Sequence, residues 1–104
     1  MGKHKDSGEK RHDKLVNMLE LILFNEFDYE EMWKFFDYCR NGQVGEVDLL
    51  AYADGKYDFY EVKCSSNPKS RKKAYEQFEK YKLAYNRQIV DGYLFTGDLK
   101  IKRL

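Results

Sequence analysis

Apolar side chains recur every three or four residues through residues 9–27, and this spacing predicts an amphipathic first helix. The recurring positions are Leu15, Met18, Leu19, Ile22 and Leu23. Asp6 or Ser7 is expected to cap its amino end, because either side chain can accept hydrogen bonds from free main-chain N–H groups. Residues 1–8, rich in Lys, Gly and Asp, are expected to be disordered. Residues 29–35 would add a short turn of helix.

Three strands are predicted next, because residues 35–40, 47–53 and 57–62 are rich in branched, aromatic and aliphatic side chains. Asn41-Gly42 would end the first strand. Asp54-Gly55 predicts a tight hairpin turn between the second and the third. These two strands should therefore be antiparallel neighbours.

A second helix is predicted from Ser70, a capping residue, to about Gln88. One face of it is formed by Ala74, Phe78, Tyr81 and Tyr85. Residues 92–96 and 99–104 predict two final strands. The order helix, three strands, helix, two strands indicates an α/β fold, with two or three layers built around a mixed sheet.

Length and charge point to one domain with two kinds of surface. The chain has 104 residues, of which residues 9–104 are expected to form a single domain. Residues 15–61 carry three Lys or Arg against eleven Asp or Glu, whereas residues 62–104 carry eleven against four. This layout suits an enzyme with an acidic cation site and a basic surface for a polyanion. The alternative is that the charges are scattered over solvated faces.

Cysteine usage and hydropathy indicate an intracellular protein. Cys39 and Cys64 have no zinc-site spacing, so both are expected to be reduced thiols in the cytoplasm, or in a host cytoplasm if a virus or mobile element encodes the chain. The apolar run at residues 21–24, like every other in the sequence, is far shorter than the roughly 18 residues that span a membrane. No membrane partner is therefore predicted.

Two acids and a lysine fall at the ends of the second and third predicted strands. Asp48 closes the segment GEVD, and Glu61 and Lys63 flank Val62. Alternation in a strand turns Glu61 and Lys63 to one face and Val62 to the other. The two carboxylates and the main-chain carbonyl of Val62 are hard oxygen donors, which suit Mg²⁺ or Mn²⁺.

Such a site could hydrolyse a phosphodiester, since a divalent cation activates water and stabilises charge on phosphoryl oxygens. Lys63 would position the water or neutralise charge rather than act as a base, because an ordinary lysine pKa of about 10.4 keeps it protonated. Taken singly, Glu61 and Lys63 could be a common ion pair on a sheet, and Asp48 a solvated strand residue.

The segment GEVDLLAYADGKYDFYEVK, residues 45–63, resembles the PD-(D/E)XK nuclease superfamily, whose hallmark is an acid on one strand and an acid-x-Lys on the next. The proline of that motif is absent, and Val47 stands before Asp48. The resemblance implies a restriction-endonuclease-like core over residues 9–96. It also implies a metal-dependent DNA nuclease with Asp48, Glu61 and Lys63 as catalytic residues.

Gln77 and Tyr81 lie four residues apart, hence one turn apart on one face of the second helix. The pair is similar to the QxxxY motif of RecB-type, lambda-type and CRISPR-associated exonucleases. That similarity implies that Gln77 contacts the phosphate or Lys63, with Tyr81 packed beside it. The alternative is that Tyr81 simply belongs to the apolar face with Phe78.

The superfamily resemblance also implies a ligand or water-holding residue on the first helix, for which Glu20 and His12 are both candidates. A helical wheel places Glu20 in an apolar sector, where an unpaired carboxylate would be costly unless a cation lay beside it. His12 follows Gly8 by four residues, which looks like the RecB-type first motif. Two turns, roughly 12 Å of rise, separate the candidates, so only one is expected to reach a metal. Otherwise Glu20 would pair with a lysine elsewhere, and His12 would be exposed.

Basic residues crowd the start of the second helix and continue along it. They are Lys69, Arg71, Lys72, Lys73 and Lys80, and we expect them to contact nucleic-acid phosphates. The leading prediction is a small DNA nuclease directed to ends or structures. A Holliday-junction-resolving endonuclease and a non-catalytic nucleic-acid-binding module are the alternatives. A chain this small is expected to act as a homodimer or larger homo-oligomer.

Overall fold

The computed structural model describes residues 7–104, with side chains described from Lys10 onwards. Its elements are α1 (Ser7–Glu26), β1 (Glu31–Arg40), β2 (Gln43–Ala53), β3 (Lys56–Lys63), α2 (Pro68–Ala84), β4 (Ile89–Thr96) and β5 (Ile101–Arg103). The strands form one sheet in the order β1-β2-β3-β4-β5. β3 and β4 are parallel, and the other neighbours are antiparallel. The predicted α/β class, element order and mixed sheet are confirmed.

The sheet is covered by one helix on each face. On the α1 side, Leu49 and Tyr60 pack with Val16, Leu19 and Leu23 of α1. On the α2 side, Leu50 of β2 and Phe59 of β3 pack with Phe78, Tyr81 and Ala84 of α2. Neighbouring residues of a strand point to opposite faces, so the architecture has three layers. Full burial of each large apolar side chain contributes roughly 1.5–3 kcal/mol.

Both predicted turns are tight hairpin turns. Asn41 and Gly42 have φ of 51° and 75°, and Asp54 and Gly55 have φ of 52° and 78°. Two successive residues with positive φ are typical of the type I′ turn, which Asn-Gly and Asp-Gly favour. The turns fix the registers of β1 with β2 and of β2 with β3.

Several predicted boundaries were wrong. Residues 31–35 belong to β1 rather than to a turn of helix, because pairing with β2 outweighs their local preference. Asn67 caps α2 instead of Ser70: its Oδ1 accepts a hydrogen bond from the Ser70 N–H at 2.8 Å. α2 also ends at Ala84, short of Gln88. Of the tail expected to be disordered, residues 1–6 and with them the Asp6 cap lie outside the described residues, whereas Ser7 and Gly8 belong to α1.

The β1–β2 hairpin bends where Phe35 faces Asp48. Phe35 has a φ of 53°, in the left-handed region that non-glycine residues seldom adopt, and the regular pairing is interrupted at this rung alone. Side chains three residues apart consequently pack on the α2 side of the sheet, namely Trp33 and Phe36 on β1 and Val47 and Leu50 on β2. Beyond the bend the hairpin therefore continues over α2.

Contacts at the far end of the hairpin hold it on α2. The Tyr38 ring lies edge-on to Tyr81, with centroids 5.6 Å apart. The Asn41 side chain donates a hydrogen bond to the Ala84 carbonyl at 2.9 Å. Gly45 lies under Tyr38, since a Cβ there would come within 2.5 Å of the Tyr38 hydroxyl oxygen. A larger residue at position 45 would displace the tyrosine.

Candidate active site

The bend opens a gap between β2 and β3. Their pairing ends at Leu49 and Tyr60, whereas β3 stays paired with β4 as far as Lys63 and Thr96. The last part of β3, from Glu61 onwards, therefore has no strand on its β2 side. Side chains at the ends of two adjacent strands can meet in this gap.

Asp48 occupies the gap and is held from two sides. Its Oδ2 accepts a hydrogen bond from the Val62 N–H at 2.8 Å and lies 3.2 Å from Nε2 of His12 on α1. Only 6% of Asp48 is exposed. The structure thus brings the predicted Asp48 and the Val62 main chain together. His12, one of the two first-helix candidates, joins them from α1.

Glu61 is a buried acid in contact with another acid. Burial and the neighbouring Asp48 carboxylate raise the pKa of Glu61 to about 8, although Lys63 opposes this rise. The Lys63 Nζ lies 3.4 Å from Glu61 Oε2, so the two side chains share a face as predicted. At neutral pH and without a cation, Glu61 is therefore largely protonated.

His12 is the first-helix residue that reaches this group. Its hydrogen bond to Asp48 raises the pKa of His12 to about 9, even though burial lowers it, and Asp13 adds to the rise. His12 Nδ1 lies 3.5 Å from Asp13 Oδ1. The imidazole is thus a cation at neutral pH, paired with the same oxygen of Asp48 that accepts the Val62 N–H.

Glu20 is not brought to the site. Its carboxylate lies 3.2 Å from the Lys34 ammonium on β1, and 38% of its side chain is exposed. The apolar sector predicted around Glu20 was wrong, because Phe24 on α1 is 74% exposed and Phe27, just beyond the end of α1, is 48% exposed. Glu20 makes the lysine pair that was the alternative explanation.

Tyr81 is a core residue. It is fully buried, and its hydroxyl donates a hydrogen bond to Gln88 Oε1 at 2.6 Å. Its ring packs against Phe59 and Tyr85, with centroids 5.6 Å and 4.8 Å away. The Tyr81 hydroxyl is therefore engaged within the α2 layer. Gln77 is half-buried one turn earlier on α2, and its contact with a phosphate or with Lys63 stays a prediction.

Three further residues surround the acids and were not predicted. Partial burial and a hydrogen bond that protonated Glu46 donates to Asp37 raise the pKa of Glu46, and the charge of Asp48 raises it further. Burial and the charge of Glu61 raise the pKa of Tyr38. The sequence held a signal for the first pair, because the Asn41-Gly42 turn sets Asp37 opposite Glu46.

The predicted basic residues form the outer surface of α2. Lys69, Arg71, Lys72 and Lys73 are exposed on its first turns, and Lys80 is half-buried further along. Four residues separate Lys63 from the start of α2, so these side chains start near the end of β3. Their contact with nucleic acid stays a prediction.

The donor set fits a hard cation that keeps water ligands. Asp48 and Glu61 offer carboxylate oxygens in mutual contact, the kind of ligand that Mg²⁺ prefers. Within the described part of the chain, no three His, Cys, Asp or Glu side chains form a group that could hold a metal by themselves. Magnesium is commonly bound by one or two carboxylates together with water and substrate phosphates.

Comparisons with known proteins add information about the fold alone. No family model matches the chain, and no curated protein matches it. A crystal structure described as that of a protein of unknown function, AF1548, is similar over 83% of this chain, with 20% sequence identity and a TM-score of 0.57. This chain spans 46% of that protein, less than half its length. The likeness supports the α/β architecture.

Proposed function

We propose that this chain is a divalent-cation-dependent nuclease that hydrolyses phosphodiester bonds in DNA. The observation that carries the proposal is the contact between two buried acids, Asp48 and Glu61, in the gap between β2 and β3. Two carboxylates in contact away from water need a proton or a cation between them. A buried acid with a displaced pKa beside a lysine, as Glu61 is beside Lys63, is typical of catalytic sites.

Asp48 and Glu61 would hold Mg²⁺ or Mn²⁺, with the carbonyl of Val62 as a further oxygen. When bound, the cation supplies stabilisation of the charge that develops on the phosphate. The Val62 N–H fixes the Asp48 carboxylate in place, so little reorganisation is needed when the site fills.

Lys63 and His12 would act on substrate and water. The Lys63 ammonium can orient a water molecule and neutralise charge on a phosphoryl oxygen. The His12 imidazolium aligns Asp48 through one oxygen and can donate a hydrogen bond to a phosphate. If His12 gives up its proton, the same nitrogen becomes a ligand.

The decisive experiment is cleavage of labelled linear, single-stranded and branched DNA, with Mg²⁺ or Mn²⁺ and with chelator. We expect cation-dependent cutting by the wild type, lost in Asp48→Asn and in Lys63→Met. Exposed Glu26 on α1 provides a matched control, since Glu26→Gln also removes one carboxylate.

The same assay separates the alternatives. Cutting of four-way junctions with little processing of linear ends would identify a junction-resolving endonuclease. Cation-independent binding without any cutting would identify a non-catalytic module. Equal activity of the site variants and the wild type would refute the assignment of the site.

We further propose that the protein acts as a homo-oligomer. The outer face of α1 exposes Met18, Leu21 and Phe24, which are 40%, 62% and 74% exposed. Exposed apolar surface of this kind is common at protein interfaces. Sedimentation of the wild type beside Phe24→Ser tests the proposal.

Neither of the helices in the described part of the chain has the length and hydropathy that a membrane-spanning helix needs.

A further inference from the structure

A polar cavity of about 390 Å³ lies where the tip of the β1–β2 hairpin meets the end of α2. It is lined by Arg40, Asn41, Tyr85, Asn86, Arg87 and Gln88. None of these residues belongs to the candidate active site. The lining carries two guanidinium groups and three side-chain amides, and no acid contributes to it.

The two arginines lack a carboxylate partner among the described residues. The Arg40 guanidinium lies over the Tyr85 ring, 5.2 Å from its centroid, which restrains its position. Arg87 is exposed at the mouth of the cavity. Two unpaired guanidinium groups beside amide donors are suited to a phosphate, which accepts several hydrogen bonds at once.

Hydrogen bonds to the carbonyls beside the cavity weaken the repulsion that the carboxyl end of a helix exerts on an anion. The Ala84 carbonyl accepts a hydrogen bond from the Asn41 side chain, and the Tyr85 carbonyl accepts one from the Gln88 N–H at 3.1 Å. Two of the carbonyls left free at a helix end are therefore engaged.

The cavity has no platform for a base. The Tyr85 ring is occupied by Arg40 and by Tyr81, whose centroid is 4.8 Å away, and Tyr38 lies against it at 5.9 Å. Tyr38 therefore adjoins the cavity through Tyr85, and it also lies close enough to Glu61 for that charge to raise its pKa.

We propose that this cavity binds a backbone phosphate of the nucleic-acid strand, independently of base sequence and outside the candidate active site. The inference rests on the proposed function for the choice of DNA as ligand. Binding to the cavity is measured in chelator, where no cation-dependent cutting is expected. A failure of this proposal is therefore distinguishable from a failure of the nuclease proposal.

The first test uses inorganic phosphate as the probe and the side-chain amide signals of Asn41, Asn86 and Gln88 in ¹⁵N-labelled protein. We expect these signals to shift saturably with phosphate in the wild type and to stay in place in Arg87→Gln. Arg87 is exposed and has no carboxylate partner among the described residues, so this variant should remain folded. Absence of a saturable shift in the wild type would overturn the proposal.

The second test uses a labelled single-stranded oligonucleotide, with anisotropy measured over a range of salt concentrations. Each lost phosphate contact should reduce the slope of log K against log salt by about 0.7. We expect this reduction in Arg40→Gln and in Arg87→Gln, but not in Lys102→Gln, which removes an equal charge from β5. Phosphate binding with slopes unchanged in both arginine variants would overturn the polynucleotide as the ligand.

Discussion

Strand β3 carries an acid and a lysine, two residues apart, at each of its ends, and the two pairs sit in different surroundings. Lys56 and Asp58 begin the strand, whereas Glu61 and Lys63 end it. Asp58 and Glu61 are equally buried, each 6% exposed. Strand alternation turns Asp58 to the α1 side and Glu61 to the α2 side.

At the first end a lysine stands between two acids. The Lys56 ammonium lies 3.3 Å from Asp58 and 2.8 Å from Asp91, and Arg103 lies 2.8 Å from the other oxygen of Asp91. The Tyr29 hydroxyl donates to the remaining oxygen of Asp58. The hydrogen bond from Lys56 lowers the pKa of Asp91, and that of Lys56 is raised in turn.

At the second end the cations stand outside and the acids touch. Lys63 lies against Glu61 and His12 against Asp48, which leaves the two carboxylates facing each other. The same residue types therefore give a lysine placed between two acids at one end and two acids in mutual contact at the other. The proposed metal would take the place that the Lys56 ammonium fills at the first end.

The largest expected effect is a difference in the rate of DNA cleavage between variants of Glu61 and of Asp58. Glu61→Gln should slow DNA cleavage by about 100-fold or more, because it removes a ligand needed in the transition state. Asp58→Asn should leave the rate nearly unchanged at a temperature where it is folded. Initial rates with Mn²⁺, with circular dichroism as the folding control, test this. Equal losses in the two variants would break the comparison.

Stability should respond in the opposite order. Asp58→Asn removes an ion pair with Lys56 and a hydrogen bond from Tyr29 in a buried position, and should destabilise the fold by about 3 kcal/mol. In chelator, Glu61→Gln relieves contact between acids and should be neutral or stabilise by about 1 kcal/mol. Urea denaturation of both variants measures the difference. A strongly destabilised Glu61→Gln would contradict it.

The stability of the metal-free protein should fall as the pH rises. Glu61 has a pKa raised from 4.5 to about 8, so its burial destabilises the fold increasingly above pH 4.5. His12 has a pKa raised from 6.5 to about 9, so its stabilisation is complete below pH 6.5 and lost as the pH passes 9. Denaturation in chelator at stepped pH tests this. Glu61→Gln should flatten the fall between pH 5 and 8.

Cation binding should release protons in a number that reveals the role of His12. At pH 7 Glu61 and His12 both hold a proton, and a ligand must lose its proton before binding. About one proton is expected if Glu61 alone binds, and about two if His12 also becomes a ligand. Calorimetry with Mg²⁺ or Mn²⁺ in buffers of different ionisation enthalpy counts them. No release at all would argue against Glu61 as a ligand.

The smallest effects concern the residues that lie away from the acids. Tyr81→Phe removes a hydrogen bond to Gln88 and should cost about 1 kcal/mol of stability without slowing cleavage. Glu20→Gln breaks a largely exposed pair with Lys34 and should change stability by less than about 0.5 kcal/mol. A cleavage defect in Tyr81→Phe at unchanged stability would instead support the QxxxY role.

The sequence predicted what depends on local patterns. Turn residues with positive φ marked both hairpins, and the adjacency of the second and third strands brought Asp48 near Glu61. Alternation placed Glu61 and Lys63 on one face. These features follow from a period of two residues and from turn chemistry, which are readable without the tertiary structure.

The remaining features depend on how the layers dock. Whether His12 or Glu20 meets Asp48 is set by the rotation of α1 on the sheet, and its apolar residues were too many to define one face. The strand from Glu31 to Lys34 forms because β2 offers a partner. The position of Lys56 between Asp58 and Asp91 could be predicted only from the parallel pairing of β3 with β4, which places the two acids side by side.

The left-handed Phe35 restricts how the hairpin can slide. Both strands interrupt their alternation at the same rung, so a slip of one residue would set the irregular position of each strand against a regular one. Such a slip would also turn every side chain to the wrong face. The irregular backbone at Phe35 therefore fixes the register of the hairpin, and with it the position of Asp48 beside the end of β3. A Phe35→Gly protein would be less strained there, but its register would be fixed less firmly.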